Sequence, residues 1–149
     1  MTESSIDSND PYSFDRFVSA QRDSYDAALS EVKNGRKLSH WMWYVFPQLS
    51  GLGLSMTAQR YGIAGSDEAY AYLTHDVLGP RLIAISEATL SVEGRSAIEI
   101  FGIPDNMKLR SCATLFAHVS NTDSVFHKII DKYFDGKMDL RTIQLLSDR

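Results

Sequence analysis

The stretch Val125-Phe126-His127-Lys128-Ile129-Ile130-Asp131-Lys132-Tyr133-Phe134 decides the fold class. Val125, Phe126, Ile129, Ile130, Tyr133 and Phe134 recur at the spacing of one helix face, and Gly136 stops the run. The same period continues outward in both directions. Leu109, Cys112, Ala113, Phe116 and Val119 share a side of a helix that Asp105 can start. Ser96-Ala97-Ile98-Glu99 has the spacing of a capping box, and Gly102 closes that short helix. Further upstream, Asp76 can cap a helix with the stripe Leu78, Leu82, Ile85, Thr89 and Val92, in which Pro80 still lies in the first turn. Ser66 can cap another, followed by Asp67 and Glu68, acids that suit the positive end of the helix dipole. Tyr25, Ala28, Leu29 and Val32 form a stripe stopped at Asn34-Gly35, and a last short helix is expected from about Asp139 to Leu146.

Two-residue alternation over a useful length is absent, so the expected class is all-α: one domain of seven or eight short helices, not a simple four-helix bundle. The 149 residues, 44% hydrophobic and 23% charged, fit one such domain. Residues 1–12 are expected to form a mobile acidic tail, since Glu3, Asp7 and Asp10 stand there without a base and with almost no apolar residue, leaving 13–149 as the helical domain. A single cysteine, Cys112, and a start with neither basic nor apolar run imply a reducing cytoplasm. The longest apolar run, Trp41 to Phe46, ends at Pro47, well short of the roughly 20 residues that span a bilayer.

Charge is unevenly distributed. The chain carries a net charge of −4, yet between Val32 and Ser66 there is no Asp or Glu, where average composition predicts about four or five, while Lys33, Arg36, Lys37 and Arg60 all lie there. The segment also holds His40, Trp41, Trp43, Tyr44, Phe46 and Tyr61, and the turn Gly51-Leu52-Gly53 leads to Ser55, a suitable helix cap. Basic groups, aromatic faces and free N–H groups are how proteins hold a phosphate beside a flat ring. The plainer alternative is that the aromatic residues fill the core and that Arg36 and Lys37 complement the negative end of a helix.

Other chemistries lack their spacing. His40, His75, His118 and His127 form no metal-ligand pattern, no Gly-x-Ser-x-Gly elbow occurs, and the Gly-x-Gly turn lacks the third glycine and preceding strand of a dinucleotide site. No metal and no cofactor is therefore expected. Cys112 lies on the apolar side of its helix and reads as a buried thiol. Lys108, Ser111 and His118 share the opposite side, either a solvated face or one wall of an anion site.

The blocks Gly35-Arg36-Lys37, Ser39-His40-Trp41-Met42-Trp43, Phe46-Pro47-Gln48, Gly51-Leu52-Gly53, Arg60-Tyr61-Gly62-Ile63, Leu78-Gly79-Pro80-Arg81-Leu82, Ile100-Phe101-Gly102 and Thr114-Leu115-Phe116 resemble those of the DUF1810 family of bacteria, fungi and plants, a family of unknown function. The resemblance spans roughly Tyr12 to Leu146 and implies an all-helical fold. Some members carry the label calpastatin. An inhibitor of that kind is a disordered, Pro- and Lys-rich repeat protein, unlike this chain with its 4 Pro, 2 Trp and no repeat.

Polar members of these blocks are residue types that a core does not require. The expected site therefore comprises His40 as general acid or base, with Arg36, Lys37, Gln48, Arg60 and Arg81 from the blocks and Lys108 from the helix side opposite the Leu109 stripe as ligand-binding groups, and Trp41 or Trp43 as a stacking face. At least three of Arg36, His40, Gln48, Arg60, Arg81 and Lys108 are expected to converge on one concavity. The implied activity is binding, or hydrolysis, of a phosphate-bearing small molecule such as a nucleotide or nucleotide-sugar. The alternative is a protein-protein interaction module that uses the Trp-rich 39–48 segment. Neither a membrane nor, with so modest a local charge, a nucleic acid is the expected partner.

Overall fold

The cap and stop signals are used largely as their chemistry dictates. In a computed structural model that describes residues 9–149, ten helices follow one another: α1 (Asp15–Arg22), α2 (Tyr25–Lys33), α3 (Met42–Val45), α4 (Met56–Arg60), α5 (Ser66–Thr74), α6 (Leu78–Ser91), α7 (Ala97–Phe101), α8 (Asp105–His118), α9 (Val125–Phe134) and α10 (Leu140–Ser147). Ser96 and Glu99 close the reciprocal capping box of α7, and Ser55, Ser124 and Asp139 cap α4, α9 and α10 through their side chains. Gly35 and Gly136 take positive φ values of 76° and 74° just beyond α2 and α9.

The count of ten corrects the expected seven or eight. The additional elements are α1 and two single-turn helices, α3 and α4, which lie inside the aromatic segment where a four- or five-residue turn leaves no stripe to read. The start of α6 is also corrected. Nδ1 of His75, not Asp76, accepts the backbone N–H groups of Val77 and Leu78, both at 3.1 Å. The expected acidic tail lies mostly outside the described residues. Within them, the Asp10 carboxylate accepts the N–H groups of Phe14 at 2.7 Å and Asp15 at 3.0 Å, and so caps α1 from the preceding turn.

α8 is the central element. It packs against α5, α7, α9 and α10, and every residue from Ser111 to Ala117 is buried. α6 packs across α2, α5 and α9 around it. The rings of Phe14, Phe17, Tyr72, Phe116 and Phe126 run through the interior in successive contacts with centroids 5.2–6.3 Å apart. Among the described residues there is no sheet. The isolated bridge between Leu49 and Ile63 ties together the two ends of the loop that carries α4 and fixes the backbone at Gln48, whose carbonyl accepts the Ile63 N–H at 3.0 Å. No described helix is long and apolar enough to cross a membrane.

Candidate anion site

The acid-free segment is organised by an acid outside it. Glu31, in the last turns of α2, accepts four hydrogen bonds. Its Oε1 takes the N–H groups of Leu38 (2.8 Å) and Ser39 (3.0 Å) and the indole Nε1 of Trp41 (2.9 Å), and its Oε2 takes the Ser39 hydroxyl at 2.6 Å. Partial burial pushes this carboxyl up, but the hydrogen bonds from Ser39, Leu38 and Trp41 together outweigh that and hold it at about 2. The loop after α2 is thereby closed on itself. The Lys37 N–H then donates to the Ile100 carbonyl at 2.7 Å and docks the loop on α7.

Docking on α7 brings Lys37 to the start of α8. Its Nζ lies 3.0 Å from Oδ2 of Asp105, and Nζ of Lys108, one turn along α8, lies 3.3 Å from the other oxygen, Oδ1. Each ammonium also rests on an indole: Lys37 lies 5.0 Å from the ring centroid of Trp41, and Lys108 lies 4.8 Å from that of Trp43. The two lysines differ in access. The Lys37 side chain is 8% exposed and also donates to the Ser39 carbonyl, whereas the Lys108 side chain is 23% exposed and faces a cavity.

That cavity, of about 260 Å³, is lined by Gln48, Leu52, Gly53, Pro104, Met107, Lys108, Ser111, Asp139 and Arg141. Asp139 is engaged as the cap of α10. Its Oδ2 accepts the Thr142 N–H at 3.2 Å, the Thr142 hydroxyl and the Ser111 hydroxyl at 3.1 Å. Counting the layer behind Lys108, three cations (Lys37, Lys108, Arg141) meet two carboxylates (Asp105, Asp139), both already hydrogen-bonded or ion-paired. The arrangement has one positive charge in excess and can receive an anion without displacing a structural bond of Lys37.

The expected site residues are thus divided. Gln48 and Lys108 line this cavity, and Lys37 stands behind it through Asp105. Trp41 is 1% exposed, with its N–H on Glu31 and its face under Lys37, and Trp43 is half-buried beneath Lys108, so neither presents an open stacking face. Arg36 and His40 are exposed, and the His40 carbonyl accepts the Tyr44 hydroxyl at 3.4 Å. Arg60 stacks on Tyr61, its guanidinium 5.6 Å from the ring. Arg81 joins a different polar network, with Nη1 donating to Gln21 at 3.3 Å and the guanidinium over Tyr25; Gln21 in turn donates to the Tyr72 hydroxyl and the Tyr44 carbonyl. In this cavity two of the six residues expected to converge are present, not three. Ser111 lines the cavity beside Lys108, whereas His118 at the end of α8 is exposed.

Sequence reasoning did not single out Glu31, Asp105 or Arg141 as site residues. Asp105 was legible as a helix start, but nothing in the sequence says that Lys37, 68 positions earlier, meets it. Cys112 is 1% exposed, and burial pushes its thiol well above the ordinary value.

Comparison with known proteins agrees with this fold. No curated protein matches the chain. The crystal structure of a conserved hypothetical protein from Mycobacterium tuberculosis is similar, with 49% sequence identity and a TM-score of 0.91, over 93% of this chain and 99% of that one. The model of a protein family of unknown function, DUF1810, matches residues 11–146, and the chain belongs to that family.

Proposed function

We propose that the protein binds a phosphate-bearing small molecule at the Gln48–Lys108–Arg141 cavity. The observation that carries this reading is the placement of Lys108. Its ammonium is held at the cavity wall by Asp105 and Trp43, with Lys37 adding a second positive charge behind the same carboxylate. A cation fixed before the ligand arrives loses little side-chain freedom on binding. Gln48 adds a neutral amide that can donate to an anion, and Arg141 adds a planar fork of the kind that grips phosphate oxygens.

Size limits what enters. Sites that enclose a drug-sized ligand run to roughly 300–1,000 Å³, and this cavity has about 260 Å³. It takes a phosphate group and leaves the rest of the ligand, whether a nucleotide, a nucleotide-sugar or another body, outside. Binding is favoured over hydrolysis, because Asp105 and Asp139 are both occupied and His40 is not among the lining residues. A protein-interaction surface built on residues 39–48 has less support, since Trp41, Met42, Val45 and Phe46 are each 1% exposed.

The reading is tested by thermal melting in inorganic phosphate. A ligand that binds only the native state stabilises it by RT ln(1 + [L]/Kd), so phosphate should raise the melting temperature and added sodium chloride should diminish the effect. Lys108→Ala should abolish the rise, while Lys128→Ala, at an exposed position on α9, should leave it intact. A rise that survives Lys108→Ala would place the ligand elsewhere.

A further inference from the structure

A carboxylate stands in the wall of the anion cavity. Asp139 is a lining residue, yet the bonds that make it the cap of α10 all end on one oxygen: Oδ2 takes the Thr142 N–H, the Thr142 hydroxyl and the hydroxyl of Ser111, itself a lining residue. Oδ1 accepts no hydrogen bond from any described residue. Among the described residues no Lys or Arg forms an ion pair with Asp139 either, although Lys108 and Arg141 line the same cavity. Nor is Oδ1 buried without a partner, a condition found at Ser86 Oγ and Asn106 Oδ1, so it is open to water. The carboxylate is also fixed in place. The Asp139 N–H donates to the Thr114 hydroxyl at 2.9 Å, and Arg110 of α8 holds the carbonyls of Lys137 and Met138 at 2.8 and 3.0 Å. Asp139 cannot turn away from an entering anion without giving up the cap of α10.

An ionised carboxylate has only lone pairs to offer. Beside a fully deprotonated oxyanion it makes no bond and adds repulsion. An oxyanion that still carries a proton is different: its O–H donates to Oδ1 while its other oxygens accept from Lys108, Arg141 and Gln48. We infer that Asp139 makes the cavity selective for an oxyanion that retains a proton, hydrogen phosphate or the monoanion of a phosphate monoester, against sulfate and other fully deprotonated oxyanions. This rests on the reading of the cavity as a phosphate site and deepens it, since Lys108 and Arg141 attract the anion and Asp139 sorts anions by protonation. A site built to bond a hydroxyl of its ligand rejects the analogue that lacks it, because the site's own polar group then goes unpaired.

Titration calorimetry of the full chain with phosphate, arsenate, sulfate and selenate, as sodium salts at equal ionic strength, tests the inference. At about pH 8 all four are tetrahedral dianions, but only phosphate and arsenate keep a proton. Those two should bind at least about tenfold more tightly than sulfate and selenate. Asp139→Asn keeps an oxygen toward the Thr142 N–H, since Asn caps helices well, and puts an NH₂ donor where Oδ1 stands. In that variant sulfate should gain, and the ratio of phosphate to sulfate affinity should fall to within about threefold of unity. Asp139→Ser also supplies a cap while removing the open acceptor, and the same collapse is expected. An unchanged circular-dichroism melt would show that either variant retains the fold, and the wild-type series decides the question on its own if neither does. Lys108→Ala should weaken all four anions alike. Equal wild-type affinity for the four, arsenate grouping with sulfate, or a phosphate preference that survives in a folded Asp139 variant would overturn the inference and leave the anion site standing. Binding of none of the four would overturn both.

Discussion

Glu31 accepts the indole N–H of Trp41 at 2.9 Å, across a gap of ten residues in the chain. That bond, with those from Leu38 and Ser39, fixes the loop that delivers Lys37 to Asp105. An acid-free stretch is not a stretch without acids nearby. The carboxylate that orders it comes from the preceding helix, and the one that it meets comes from α8.

Stability should therefore depend on Glu31 in acid. Its folded-state pKa of about 2 lies below the ordinary 4.5, so its ionised form stabilises the fold fully above about pH 4.5 and that contribution is lost as pH falls through the window from 4.5 to about 2. Glu31→Gln should reduce stability by about 1–3 kcal/mol at pH 7, with the difference from wild type shrinking toward pH 2. Urea unfolding at a series of pH values measures this. A constant difference across the window would show that the charge of Glu31 is not what holds the loop.

The two lysines on Asp105 should separate. Lys37 is enclosed, with an ion pair, a carbonyl and an indole around it, so Lys37→Ala should destabilise the protein by about 1–3 kcal/mol. Lys108 faces the cavity with one paired oxygen, and Lys108→Ala should change stability by less than about 1 kcal/mol while removing phosphate binding. Melting curves of both variants, with and without phosphate, would contradict this assignment if Lys108→Ala proved the more destabilising.

How much of this was legible follows from where each signal is local. Periodicity and caps are local, so the stripe at Phe126, Ile129 and Ile130, the Ser96–Glu99 box and the stop at Gly35 all stand where residue spacing puts them. The site is not local. Gln48 and Lys108, expected from residue type, both line the cavity, but Asp105 meets Lys37 from 68 positions away, Arg141 reaches the lining from α10, and Arg81 is held by Gln21 and Tyr25. Trp41 is a case where the plainer reading prevails, since its large apolar surface went to the core beside Phe46 and Phe101.

Gly79 stands where close packing leaves no room for a side chain. A Cβ there would stand 2.0 Å from the carbonyl oxygen of Leu73, backbone that cannot move without shifting the end of α5. Gly79→Ala should cost about 1–3 kcal/mol or prevent folding. Gly65→Ala is the control, since its φ of 175° is ordinary extended backbone and a Cβ there meets nothing within 4 Å. Equal urea midpoints for the two variants would remove close packing as the reason.

Lys108 is proposed to present a fixed cation to an anionic ligand. A crystal structure of the protein grown in phosphate, free of other multivalent anions, would reveal that ligand. A tetrahedral anion is expected in the cavity between Gln48, Lys108 and Arg141, with an oxygen within hydrogen-bond distance of Lys108 Nζ and the Lys37–Asp105 pair retained. An empty cavity, with phosphate bound instead at exposed bases such as Lys33 or Arg36, would contradict it.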